Sequence, residues 1–150
     1  MNRLLSFVVL SLIVVSACAA EPVSVVAARN LLDAQRHAWN RADIDGFMEG
    51  YWRSPDLRFA GGDAFRNGWQ DTIDRYRRTY PDAAAMGKLD FDLVEVREMS
   101  PEVVYVFGKW ALKRDQDAPG HAPHGLFTLL VEQKAGRWVV TRDHTSAAEH

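Results

Sequence analysis

Residues 124–146 read HGLFTLLVEQKAGRWVVTRDHTS, and this stretch decides the fold. Two runs rich in β-branched and aromatic residues flank Lys134-Ala135-Gly136-Arg137, where Gly136 supplies the positive φ that a tight hairpin turn requires. With Ala135-Gly136 as the turn, counting outward sets Phe127 opposite His144, Thr128 opposite Asp143 and Leu129 opposite Arg142. Side chains alternate along a strand, so the hairpin has two faces. One carries Phe127, Leu129, Val131, Trp138 and Val140, with Arg142, His144 and Ser146 at its far end. The other carries Leu126, Thr128, Leu130, Glu132, Thr141, Asp143 and Thr145. An apolar floor ending in a polar cluster is the makeup of a ligand pocket. On this register Asp143 points away from His144, and the two cannot act as a dyad unless a bulge intervenes.

Working outward, the preceding chain supplies helices and then strands. Val25, Ala28, Leu32, Gln35 and Trp39 follow helical spacing after Pro22. Asp43 is placed as the N-cap of a short second helix with the stripe Ile44, Phe47, Met48 and Tyr51. Short strands at Leu57–Ala60 and Ala64–Arg66 flank Gly61-Gly62-Asp63. A third helix begins near Asn67-Gly68, carries Trp69, Ile73, Tyr76 and Tyr80, and stops at Pro81. From Leu89 the period changes to two, giving strands over Leu89–Arg97 and Val103–Arg114. Helices gathered before a run of strands predict an α+β domain: three N-terminal helices on a curved antiparallel sheet. Both faces of the Leu89–Arg114 hairpin are apolar. One carries Phe91, Leu93, Val104, Val106 and Trp110, the other Val94, Val96, Tyr105 and Phe107. Burial of the second face against another copy would explain this, so a homodimer is expected.

The chain has 150 residues, 47% hydrophobic and 25% charged, with a formal charge of −2. That is one domain's worth of chain with no electrostatic case for nucleic acid. Arg75, Arg77 and Arg78 alternate with Asp71 and Asp74 and read as a solvated helix face. Arg3, the apolar run Leu4–Val15 and Val15-Ser16-Ala17-Cys18 form an export signal too short to span a membrane, ending in a pattern that resembles a bacterial lipobox. Acylation of the lone Cys18 would anchor the domain on the periplasmic side of a membrane. Cleavage after Ala20 would instead release it in soluble form. The expected division is residues 1–18 as signal, 19–26 as a short tether and 27–147 as the domain, with no disulfide available.

Three strings carry a family resemblance: Ala38-Trp39-Asn40-Arg41-Ala42-Asp43 before Phe47, Gly68-Trp69 through Arg75-Tyr76, and Gly125-Leu126-Phe127-Thr128-Leu129 with Asp143-His144-Thr145-Ser146. With the element order, they resemble the nuclear transport factor 2-like superfamily, and most closely its small bacterial SnoaL-like and ketosteroid-isomerase-like domains. The resemblance implies a cone-shaped fold with a deep pocket between helices and sheet. Trp39, Tyr51, Trp52, Phe59, Trp69, Tyr76, Tyr80, Trp110 and Phe127 are candidates to line it, and His124 and Arg142 to contribute polar contacts. The same aromatic residues also suit an ordinary core.

For chemistry, His144 is the first candidate as a general acid or base, or else a structural histidine closing the sheet. Asp143 is a weaker candidate because alternation turns it outward. His121 and His124 flank a proline without a third ligand at metal-site spacing, so no metal is expected. No phosphate loop, nucleophile elbow or dinucleotide fingerprint is present, and no cofactor is expected. Three functions remain in view: an exported binder of a small aromatic or apolar molecule, an isomerase-, dehydratase- or cyclase-type enzyme using His144, and a non-catalytic dimeric assembly module.

Overall fold

A computed structural model describes residues 20–62, 64–117 and 121–148. The signal segment and Cys18 lie outside them. The elements run α1 (Val23–Asn40), α2 (Ile44–Met48), β1 (Arg58–Gly61), β2 (Ala64–Asn67), α3 (Trp69–Thr79), α4 (Ala83–Met86), β3 (Lys88–Ser100), β4 (Val103–Lys113), β5 (His124–Lys134) and β6 (Arg137–Thr145). One six-stranded sheet has the order β2-β1-β6-β5-β4-β3.

Two details differ from the expected architecture. The sheet is mixed, because β1 runs parallel to β6. The chain leaves α2 beside the β5–β6 turn, so the next strand laid on the free edge of β6 must run in the same direction as β6. The helices are also not all gathered ahead of the strands. The β1–β2 hairpin separates α2 from α3, and a one-turn helix, α4, follows Pro81. Its cap was legible in principle, since Asp82 accepts from the Ala85 N–H at 2.8 Å.

Helix α1 packs one stripe on the sheet, with Val25, Ala28, Leu32, Gln35, Ala38 and Trp39 buried. Val25 is already buried and Ser24 bonds the Glu98 carboxylate, so packed structure starts before residue 27. The far end of α1 is tied down twice. Asn40 accepts from Leu89 N–H at 2.7 Å and donates to its carbonyl at 3.1 Å, while the Trp39 indole donates to Met86 O at 3.0 Å. Asp43 caps α2 as expected, accepting from Gly46 N–H at 2.7 Å. At Asp43 and at the Ala135-Gly136 turn local chemistry sets the path. Ala135 and Gly136 both take positive φ, 49° and 77°, as a two-residue hairpin loop of this type demands.

Bulges decide which face each strand presents beyond them. In β3, Val94 is extra between the pairs Leu93↔Gly108 and Glu95↔Phe107. Val94 is therefore pushed outward and Val96 turns in to pack on the core, reversing its expected face. In β6 the pairing Lys134↔Arg137 through Val131↔Val140 is the expected one, and then Thr141 is skipped, so that Leu130 faces Arg142. From there every partner moves by one: Leu129↔Asp143, Thr128↔His144 and Phe127↔Thr145. A one-residue slip exchanges the two faces.

Candidate functional site

Between the inner sheet face and the helices lies a cavity of about 270 Å³. Its wall is aromatic. Trp39 meets Phe47 edge-on at 5.0 Å and Tyr80 at 4.8 Å, and Tyr76 meets Phe47 at 5.2 Å and Phe59 at 5.7 Å. Such edge-to-face pairs each contribute roughly 0.5–1.5 kcal/mol beyond area burial, so this wall is stiff. On the sheet side, Phe127 packs against Phe91 at 5.4 Å. Gly108 makes room for that ring, since a Cβ there would lie 2.6 Å from Phe127 Cζ. Trp110 closes one side, its indole donating to Ser146 O at 2.9 Å.

Among the described residues, Asp143 is the one acidic side chain in this lining. It is 6% exposed. Tyr51 donates to its Oδ2 at 2.7 Å and Thr145 to its Oδ1 at 2.7 Å. The Tyr51 hydroxyl is aimed by backbone: Trp52 N–H donates to Val140 O at 2.9 Å, and Val140 N–H donates to Gly50 O at 2.8 Å. This short parallel bridge holds residues 50–52 against β6 just before the Thr141 bulge. Burial pushes the Asp143 carboxyl up to about 6, and the bonds from Thr145 and Tyr51, with the nearby charge of Arg75, restrain the rise. Burial likewise raises the Tyr51 and Tyr76 phenols, so both remain protonated donors at any physiological pH.

Of the expected pocket residues, Trp39, Tyr51, Phe59, Tyr76, Tyr80, Trp110 and Phe127 do line the cavity. Trp52 and Trp69 do not. They flank a shallow cleft beside the β5–β6 turn, where Arg53 lies 4.4 Å over the Trp69 ring and Lys134 lies 5.3 Å over Trp52. His124 faces an outer groove with Leu126 and Lys109, its Nδ1 at 2.9 Å from Ala122 O.

The polar end is the reverse of the expected one. His144 and Arg142 are exposed on the outer side, with Arg142 donating to Thr141 O and Asp56 O. Asp143 and Thr145 face inward instead. The Thr141 bulge is the physical reason, and a hairpin with a bulge-free second strand would have given the expected arrangement. Arg75 was also read differently. Arg77 and Arg78 are exposed, but Arg75 turns to the cavity. Its position three residues after the fully buried Thr72 was the available signal, since that spacing puts it on the border of the buried stripe. Among the described residues no three His, Cys, Asp or Glu side chains gather as a metal site.

The fold and its sequence are similar to an NTF-2 like protein of unknown function from Shewanella oneidensis MR-1. The two share 42% identity at a TM-score of 0.75, over 81% of this chain and 97% of that one. A ketosteroid isomerase-like protein from Erwinia carotovora atroseptica shares the fold at 18% identity and a TM-score of 0.66, over 85% and 98% of the two chains. A nuclear transport factor 2 (NTF2-like) superfamily protein from Salmonella enterica serovar Typhimurium does so at 12% identity and 0.64, over 85% and 92%. No protein-family model and no curated protein matches the chain.

Proposed function

The chain belongs to the nuclear transport factor 2-like family, and from that premise we propose that its cavity is the binding site of a small, flat, largely apolar molecule bearing a carbonyl or hydroxyl group. One observation carries this reading. An aromatic-walled hollow holds a single buried carboxyl, already fastened by Tyr51 and Thr145, at its polar end. Rings supply contact area with little loss of side-chain freedom, and a few fixed polar groups set orientation. The polar end is Asp143 with Tyr51 and Tyr76, in place of the Arg142–His144 pair read from strand alternation.

The test is calorimetric titration of a metabolite library against the protein and its Trp110→Ala and Phe127→Ala variants. A ligand of this cavity binds one per chain and weakens at least tenfold in a variant that stays folded. Ligands unaffected by both substitutions would sink the proposal.

A second reading is favoured by the position of the Asp143 carboxyl, near 6. A group that exchanges its proton close to neutral pH, in a site shielded from water, suits proton transfer next to a carbonyl. In this reading an isomerase-, dehydratase- or cyclase-type reaction uses Asp143, with Tyr51 holding its carboxyl in place and Tyr76 as a donor to developing negative charge. A substrate turned over equally well by the protein and by a folded Asp143→Asn variant would exclude it.

The same proposal extends to assembly and location. The outer sheet face shows Val94 at 54% and Leu126 at 45% exposure, beside half-buried Tyr105, Phe107 and Leu130. A second copy of the chain is the occupant proposed for it. Export with acylation at Cys18 is proposed from the sequence, and loss of palmitate incorporation in Cys18→Ser is its check.

A further inference from the structure

Arg75 is the only cationic side chain among the described residues lining the cavity. Its guanidinium carbon lies 5.1 Å from the centroid of the Phe59 ring and 5.3 Å from that of Tyr76. Apart from these ring contacts it makes no hydrogen bond and no ion pair within the described chain. Its neighbours are otherwise engaged. Arg77 pairs with Asp45 at 2.6 Å, Arg114 with Asp117 at 2.7 Å, and Arg53 lies over Trp69. Contact with aromatic rings occupies the face of a guanidinium, while its five N–H donors lie on the edge. The edge of Arg75 is therefore held in place by Phe59 and Tyr76 with nothing among the described residues to receive it.

The acidic group in the cavity does not use it up. Each oxygen of Asp143 already accepts a bond, from Tyr51 and from Thr145, and Arg75 acts on it only through space. The cavity thus has two polar stations of different character. One is a half-exposed cation with donors unused among the described residues, and the other is a buried carboxyl, bonded at both oxygens, that repels a second negative charge.

Resting on the reading that this hollow binds a small molecule, we propose that its ligand is a flat monocarboxylate. The carboxylate lies on Arg75, and the uncharged end reaches the Tyr51–Asp143 pair. A planar guanidinium binds a carboxylate through two parallel bonds, which adds direction as well as affinity. The opposite placement, with the anion at Asp143, sets two negative charges together in a buried site and is disfavoured.

The test uses acid and amide pairs of matched shape: benzoate and benzamide, cinnamate and cinnamamide, 2-naphthoate and 2-naphthamide. Each is titrated calorimetrically at pH 7.5 into the wild-type chain, Arg75→Met and Arg75→Lys, with thermal unfolding to check each fold. The acid of the best-fitting pair binds roughly tenfold to a hundredfold tighter than its amide. Arg75→Met abolishes that preference by weakening the acid far more than the amide, and Arg75→Lys keeps part of the preference. Equal binding of acid and amide by the wild type overturns the carboxylate inference while the cavity reading stands. A preference that persists in Arg75→Met overturns it as well. If no acid or amide binds, the carboxylate inference falls, and the library titration decides the small-molecule reading separately.

Discussion

The phenol of Tyr51 donates to Oδ2 of Asp143 at 2.7 Å, joining positions 92 residues apart at the polar end of the cavity. The bond links the segment that follows α2 to β6, an interior strand of the sheet. It is charge-assisted whenever Asp143 is ionised, and its loss leaves a buried carboxylate short of a donor.

Asp143→Asn changes how stability depends on pH. The carboxyl is held at about 6 in the fold against an ordinary value of 3.8, so the folded state binds this proton more tightly than the unfolded one. The resulting stability is fully present below pH 3.8 and is lost as pH rises through about 6, a swing of about 3 kcal/mol. Burial raises the value, and Thr145, Tyr51, Arg75 and the adjacent His144 hold it down; Tyr76 faces the same group. Urea unfolding at a series of pH values from 3.5 to 8 should show the variant gaining on the wild type by that amount as pH rises. Parallel curves would refute the assignment.

Tyr51→Phe removes one donor and leaves the shape. Asp143 then titrates at a still higher pH, because a bond that favoured its charged form is gone. The destabilisation is about 2 kcal/mol above pH 7, where the bond is charge-assisted, and about 1 kcal/mol below pH 5. Carboxyl carbon shifts of Asp143 by NMR, with unfolding midpoints, measure both effects.

His144→Ala is the contrasting substitution. The imidazole is exposed on the outer side, so stability should change by no more than about 0.5 kcal/mol. Binding of any cavity ligand found by titration should stay within about twofold. A large loss of binding would contradict the inward placement of Asp143.

Gly125→Ala tests the seat of the C-terminal segment. A Cβ at this position would lie 2.0 Å from Ser146 O and 2.8 Å from the Trp110 Nε1 that bonds it. The tail is backbone, paired through Ser146 N–H to Leu126 O and Ala148 N–H to His124 O, so it must move away. A loss of roughly 1–3 kcal/mol is expected, with a change in Trp110 fluorescence as its indole loses Ser146. Retention of wild-type stability and spectrum would refute this packing.

Leu126→Asp addresses the outer sheet face. Leu126 is 45% exposed there, and a charge at the centre of an apolar interface is strongly unfavourable. Sedimentation velocity should show a dimer for the wild type and a monomer for the variant, with unchanged secondary structure. A wild-type monomer at tens of micromolar, a concentration that would populate a stable interface of ordinary size, would remove the proposal.

The sequence by itself determined what is local. The α1 stripe, the Asp43 cap, the stop at Pro81 and the Ala135-Gly136 turn each follow from the nearest few residues. The family resemblance, rather than local pattern, pointed to the aromatic residues that meet at one cavity, apart from Trp52 and Trp69. Tertiary structure alone decided the polar end. Strand parity carries forward only while pairing is regular, and a bulge is set by what lies beside the strand. Here Gly50–Trp52 bridge to Val140 and Thr141 is buried, so Asp143 turns inward and His144 outward. Arg75 was settled the same way. Its charge read as solvated in the helix repeat, and only the rings of Phe59 and Tyr76, from two separate elements, hold its guanidinium against the hollow.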